Sequence, residues 1–209
     1  ALKMLSTFAF LNNNMYYLIY GSLYLLSLLP FFILYRISDG LYVILYYISG
    51  YRKKVVMANL DIAFPEKTLQ EKTRIAKQFY KNLIDTFIET IKLFSLSQKS
   101  LHKRAVIDLT EIKDLIAKGK NIQMHSGHQM NWEFGHLAVA YNMPLPWISV
   151  YMSINNKALD RIFLKLRNKG NAVLVSAKSF KGHAHQAFNQ QYAIGLIADQ
   201  NPGVIGKGF

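Results

Sequence analysis

Beyond Asn121 the chain alternates short apolar runs with segments whose apolar residues recur at helical spacing, and this alternation limits the fold more than any other feature. The runs Asn121 to His125, Pro146 to Met152, Asn171 to Val175 and Tyr192 to Ala198 read as strands. Between them, Asn131 to Tyr141, Asn155 to Lys169 and Ser179 to Gln190 read as helices. Successive strand–helix–strand units need crossovers, so the expected class is α/β, with a mixed, mostly parallel sheet flanked by helices. In such sheets, sites form in the loops at the carboxyl ends of strands.

One of those loops carries the main chemical signal. Gly127-His128-Gln129-Met130-Asn131-Trp132-Glu133 puts an imidazole and a carboxylate five positions apart where a strand gives way to a helix. His128 falls in the loop and Glu133 in the first helical turn. From there the carboxylate is expected to reach one ring nitrogen of His128 and fix its tautomer, leaving the other to take a proton from a substrate hydroxyl. Asp199-Gln200-Asn201-Pro202 follows the last strand, and the two loops are expected to meet over one crevice.

With no cysteine in the chain, thiolate nucleophiles, thiolate metal sites and disulfides are excluded. The formal net charge of +13 points to an anionic partner, either nucleic acid or a membrane. The N-terminal sequence favours the membrane. No residue from Met4 to Tyr35 is charged, and Tyr16 to Tyr35 is long enough to cross a bilayer. No known nucleic-acid reader motif is present.

Arg36 and the cluster Arg52-Lys53-Lys54 place the remainder of the chain on the cytoplasmic side by the positive-inside rule. The run Gly40 to Tyr51 is too short to span and reads as an interfacial segment with tyrosines at headgroup level. Two core helices of a soluble protein would satisfy the same length test. The expected division is a membrane anchor and interfacial helix over 1–54, and an α/β domain over 55–209.

Thr68 and Glu71 are spaced as a capping box opening a long helix. Leu69, Ile75, Phe79, Leu83, Phe87, Ile91 and Phe94 lie near one face of it, with Lys72, Arg74, Lys77, Lys81 and Lys92 marking the other. That pattern reads as an amphipathic helix covering a sheet; a basic face laid on a membrane is the alternative. Gly203 to Phe209 reads as neither strand nor helix end, so a further C-terminal portion is expected.

Several motifs, in order, resemble the lipid A biosynthesis acyltransferases, the lauroyl and myristoyl transferases among the lysophospholipid-type acyltransferases. They are Arg52-Lys53-Lys54-Val55-Val56, Asn59-Leu60-Asp61-Ile62-Ala63-Phe64-Pro65-Glu66, Phe79-Tyr80-Lys81-Asn82-Leu83-Ile84-Asp85 and Glu89-Thr90-Ile91-Lys92. The series continues with the HX4E box of His128 and Glu133, with its Asn-Trp-Glu, then Arg167-Asn168-Lys169-Gly170 and Ala198-Asp199-Gln200. The departure is Gln129-Met130, where relatives often carry a glycine before Asn-Trp-Glu.

The resemblance implies His128 as general base with Glu133 as its orienting partner, and Arg167 binding an anionic group such as a phosphate. Asn131, Trp132, Asp199 and Gln200 complete the expected substrate-binding set. It further implies a bacterial inner-membrane enzyme facing the cytoplasm, which moves a fatty acyl chain from a thioester to a hydroxyl of a membrane lipid. The first candidate acceptor is an anionic lipid A precursor; an aminolipid or a lysophospholipid is the alternative. The expected donor is acyl carrier protein or coenzyme A carrying the acyl chain, with no cofactor, no metal and no covalent acyl-enzyme. A non-catalytic membrane subunit of a larger protein complex is the rival from another class.

His125, His128, Glu133 and His136 are chemically competent metal ligands, but they would have to converge from a strand, a loop and a helix without an established spacing. His125 is expected to bond locally at a strand end and His136 to pack on the face of Glu133. His183 and His185 fall in a basic stretch that reads as a solvated loop, with phosphates or an acidic carrier as its functional alternative.

Overall fold

The computed structural model describes residues 2–129, 131–180 and 188–199, with side chains from residue 14 onward except that of Ser179. Its elements are α1 (Leu2–Leu28), α2 (Phe31–Val43), a π-helical turn (Ile44–Ser49), α3 (Lys53–Ala63), α4 (Leu69–Lys92), α5 (Gln98–Arg104) and α6 (Thr110–Ala117). There follow β1 (Ile122–Ser126), α7 (Trp132–Asn142), β2 (Trp147–Tyr151), α8 (Lys157–Arg167), β3 (Ala172–Ser176), a 3-10 turn (Ala177–Ser179) and β4 (Ala193–Ile197). The chain divides into two compact units, Tyr24–Ser95 and the combination of Ala1–Leu23 with Leu96–Phe209.

The larger unit holds the α/β fold. Its four strands lie in the order β1-β4-β2-β3, and every pairing among them is parallel. All four expected strands are present, each within two residues of the expected ends. Of the expected helix Ser179 to Gln190, residues 181–187 lie outside the described residues.

Side-chain alternation divides the core in two. Ile122, Trp147 and Ala193 pack with Val139 and Ala140 of α7, with Met143 just after it and with Leu109. Ile148, Val175 and Ile194 form a second cluster, lined by Phe180, Phe188 and Tyr192. Asn131 caps α7 by accepting from Phe134 N at 3.3 Å, and Asn156 caps α8 by accepting from Ala158 N and Leu159 N at 3.0 and 3.1 Å. In α1, Tyr16 is buried, and Arg161 of α8 lies 4.1 Å from the centre of its ring.

The turn after α8 is tightly drawn. Gly170 has φ +59°, and a Cβ there would stand 2.5 Å from the carbonyl oxygen of Ala140 in α7. Asn171 secures the same crossing, its amide donating to Ala140 O and its side chain to Met143 O. Glycine is therefore required twice over, for the left-handed backbone and for the close approach.

The unit Tyr24–Ser95 is helical throughout. The long helix forms as expected: Thr68 accepts from Glu71 N, and Glu71 answers on Thr68 N. Its packing differs from the expectation in two ways. It packs on α2, the π-helical turn and α3, so its partners in its own unit are helices where a sheet was expected. Its buried row is Lys72, Ala76, Tyr80, Ile88 and Thr90, whereas Leu69, Phe79 and Phe87 are exposed. The small Ala76 admits Tyr46, and Tyr80 donates to Tyr51 O at 2.5 Å, so close approach and hydrogen bonding, more than hydrophobicity, select the buried face. Lys72 is buried along its stem while its ammonium reaches Asp61 at 2.9 Å.

The expected span Tyr16 to Tyr35 is also corrected. Pro30 cannot donate its amide and ends the run, so α1 stops at Leu28 and a new helix starts at Phe31. Among the described residues, the helix long and apolar enough to cross a membrane is Phe31–Ser49, which joins the end of the expected span to the segment judged too short. It runs antiparallel to α4. Tyr35 donates to Glu89 at 2.7 Å, Ser38 to Asp85 at 2.5 Å, and Lys81 pairs with Asp39 at 3.1 Å.

Gly119 has φ +73° with open space around the Cβ position, which makes it a control for Gly170. Gly119→Ala is expected to cost about 1 kcal/mol in the left-handed region. Gly170→Ala should cost about 2 kcal/mol more, because its methyl meets backbone that cannot yield cheaply. Thermal unfolding of the two variants in detergent checks this; equal losses would show that α7 gives way.

Candidate active site

Strand pairing assembles the site. β1 and β4 lie side by side with Ser126 opposite Ile197, and the amide of Ala198 donates to Ser126 O at 3.0 Å. His128 and Asp199 therefore leave the sheet together, each two residues beyond its strand. Asp199 Oδ1 lies 2.7 Å from His128 Nδ1, and Oδ2 accepts from the His128 amide at 2.7 Å. Gly127 makes room, since a Cβ there would stand 3.0 Å from Asp199 Oδ2.

The amide and ring hydrogen bonds of His128 hold the Asp199 carboxyl below the usual carboxylate range, so it is an anion at neutral pH. An anion accepts only, which puts the imidazole proton on Nδ1 and leaves Nε2 as the basic nitrogen. Trp132 stands edge-on to this ring, with centroids 5.1 Å apart. His128 and Asp199 remain about one-third exposed, so the pair is open to a ligand.

The partner expected for His128 is thus corrected. Glu133 is 3% exposed and its carboxylate is taken up by Arg167. Arg167 Nε lies 3.1 and 2.9 Å from the two carboxylate oxygens, and an Nη donates to Oε1 as well. A planar guanidinium satisfies a buried carboxylate through parallel donors, which one imidazole nitrogen cannot do. Arg167, expected to meet a substrate anion, already carries this internal one.

His136 also differs from the simple packing expected of it. Its Nε2 lies 2.8 Å from Arg167 O, and its Nδ1 lies 3.2 Å from Trp147 Nε1 and 3.0 Å from Ser149 Oγ. Burial pushes its imidazole below the ordinary value. His125 bonds locally, as expected, with its Nε2 2.7 Å from the Gln123 amide. Among the described residues, no group of three or more such side chains is arranged to hold a metal ion.

The structure therefore brings His128, Asn131, Trp132 and Asp199 to one sheet end and joins Glu133 to Arg167 beside them. Gln200, His183 and His185 lie outside the described residues. The hydrogen-bonding roles of Ser149 and Trp147 were not read from the sequence. They follow only from side-chain alternation in β2, once α7 is known to cover that face.

The model of the family described as bacterial lipid A biosynthesis acyltransferase matches residues 3–205. The chain belongs to this family. It is 27% identical over 163 residues to the lipid A biosynthesis lauroyltransferase of Escherichia coli (strain K12), a match covering 78% of this chain and 53% of that protein. It is 19% identical over 159 residues to the lipid A biosynthesis palmitoleoyltransferase of the same organism, over 76% of this chain and 51% of that protein. The lipid A biosynthesis acyltransferase of Shigella flexneri matches at the same identity and coverage. The chain spans about half the length of these curated relatives.

Removing one member of the Glu133–Arg167 pair leaves its partner's charge uncompensated. Glu133→Gln is expected to cost about 3 kcal/mol, and the same change in an Arg167→Met background less than about 1 kcal/mol. Denaturant unfolding of the four proteins completes the cycle. Additive losses would mean that the two side chains are independent.

Proposed function

We propose that this family member transfers a fatty acyl chain from an acyl thioester to a hydroxyl of a membrane lipid, with an anionic lipid A precursor as acceptor and acyl carrier protein as donor. The observation that carries the reading is the His128–Asp199 pair, which leaves a basic imidazole nitrogen at the sheet end. His128 Nε2 takes the hydroxyl proton as the acceptor oxygen attacks the thioester carbonyl. The tetrahedral intermediate collapses with loss of the thiolate, which receives that proton.

Asp199 keeps Nδ1 protonated and stabilises the imidazolium, a role first given to Glu133. Glu133 instead sets the plane of the Arg167 guanidinium, whose donors turned away from Glu133 meet an anionic group on the lipid. Amides in the first turn of α7, at the positive end of the helix dipole, are suited to the developing oxyanion. Asn131 caps that turn and Trp132 flanks the base. General-base assistance of this kind supplies about 10²- to 10⁴-fold, and positioning of the two lipids supplies the rest. The chemistry requires neither a metal nor a cofactor.

The helical unit is the membrane-contacting part in this reading, at the cytoplasmic face of the bacterial inner membrane. Phe32, Ile44 and Ile48 expose apolar surface along Phe31–Ser49, as do Phe79 and Phe87 on α4. The polar bonds from this stretch to Glu89, Asp85 and Lys81 tie it to a helix too charged to enter hydrocarbon. An interfacial position meets both constraints, with Arg52, Lys53 and Lys54 near lipid phosphates.

The test of catalysis is mass spectrometry of lipids after incubating detergent-solubilised full-length protein with acyl carrier protein or coenzyme A thioesters and a bacterial lipid extract. An acylated product is expected, abolished by His128→Ala and slowed roughly 10²-fold or more by Asp199→Asn. The product mass names the acceptor. No His128-dependent product from folded protein would favour a subunit without catalysis.

Each exposed apolar side chain buried in the interface is worth about 1.5–3 kcal/mol. Phe32→Glu and Ile48→Glu should therefore each weaken binding to anionic vesicles at least about tenfold in co-sedimentation. Unchanged binding would place the interface elsewhere.

A further inference from the structure

Arg167 is held at both ends by one face of α7. Glu133 takes its guanidinium, and His136, three residues on and so on the same side of the helix, meets its main-chain carbonyl. We propose that His136 is a positioning residue for Arg167: by hydrogen-bonding the last carbonyl of α8, it sets the height at which the Arg167 side chain meets Glu133 and the anionic group of the substrate. The proposal rests on the reading of Arg167 given above and adds a specificity-determining residue to it.

The hydrogen bonds determine the state of the ring. The indole N–H of Trp147 can only donate, so His136 Nδ1 is an acceptor; the carbonyl of Arg167 can only accept, so Nε2 carries the proton. The ring is neutral, in keeping with its burial. The charged groups acting on it are Glu133, which favours protonation, and Arg167, which opposes it.

That carbonyl ends α8 and has no partner in a further helical turn. It receives His136 and, at 2.9 Å, the amide of Lys169. Through Trp147 and Ser149 the ring is fastened to β2, so the end of α8 is referenced to the sheet that also carries the pairing of β1 with β4.

Two amides separate the contacts. In His136→Gln the amide nitrogen replaces Nε2 and keeps the bond to Arg167 O, whereas in His136→Asn the carbonyl oxygen replaces Nδ1 and the bond to Arg167 is lost. The first readout is hydrogen exchange at the Arg167 Nε–H by 15N NMR of the full-length protein in detergent. Exchange should be slow in the parent and in His136→Gln, and fast in His136→Asn. This needs no turnover, so it stands even where the acyl-transfer reading fails.

Where product forms, His136→Asn should raise KM for the lipid acceptor about tenfold with kcat changed less than about twofold. Ser149→Ala, which spares the Arg167 bond, should leave KM within about twofold. A role in folding alone would lower thermal stability and active fraction while leaving KM alone. Unchanged Arg167 exchange in His136→Asn overturns the proposal, as does an equal effect of the two amides. Should His136→Asn not fold, faster Arg167 exchange in Ser149→Ala than in His136→Gln would overturn it.

Discussion

The parallel pairing of β1 with β4 is the constraint on which the site depends. Two strands far apart in sequence share one register, and because they run the same way their carboxyl ends finish level. The residues two places beyond each strand are then neighbours: His128 and Asp199 meet without a long loop to bring them there. A slip of one residue would turn β4's side chains to the opposite face and separate the pair. The apolar alternation that buries Ala193 on one side and Ile194 on the other therefore fixes the meeting of His128 with Asp199 as well as packing.

A second layer of support comes from α7 and α8. The first turn of α7 serves the loop of His128 through its cap and Trp132, while the next residues inward grip Arg167. One helix thus borders His128 and holds Arg167. Gly170 allows the chain to pass against the end of α7 just after Arg167, so α8 cannot drift from it. The pair His128–Asp199 is open to solvent, and the buried pair Glu133–Arg167 holds the frame.

Much of this was legible in the sequence. The strands declared themselves because their apolar runs are short and bounded by polar turns, and Thr68 with Glu71 declared the start of α4. The place of His128 was legible because it lies just past a strand. Its partner was not: Glu133 is five residues away in sequence, whereas Asp199 is its neighbour only through strand pairing, and nothing local says that Glu133 has a better donor in Arg167. The buried face of α4 was misread for a related reason. Hydrophobicity pointed to Phe79 and Phe87, but the packing chose Ala76 for its size and Tyr80 for its hydroxyl. The span ending at Tyr35 failed at Pro30, whose missing amide outweighs the apolar residues on either side of it.

The break at Pro30 leaves carbonyl oxygens at the end of α1 without helical donors. Lys92 supplies them, its ammonium reaching Ser27 O at 2.7 Å and Leu29 O at 2.8 Å, with the Ser95 hydroxyl adding a bond to Ser27 O. The bend carries its own substitute for water. Carbonyls at such a break otherwise depend on water for their hydrogen bonds. With those carbonyls bonded by Lys92 and Ser95 of the same helical unit, the break holds its shape where water is withdrawn.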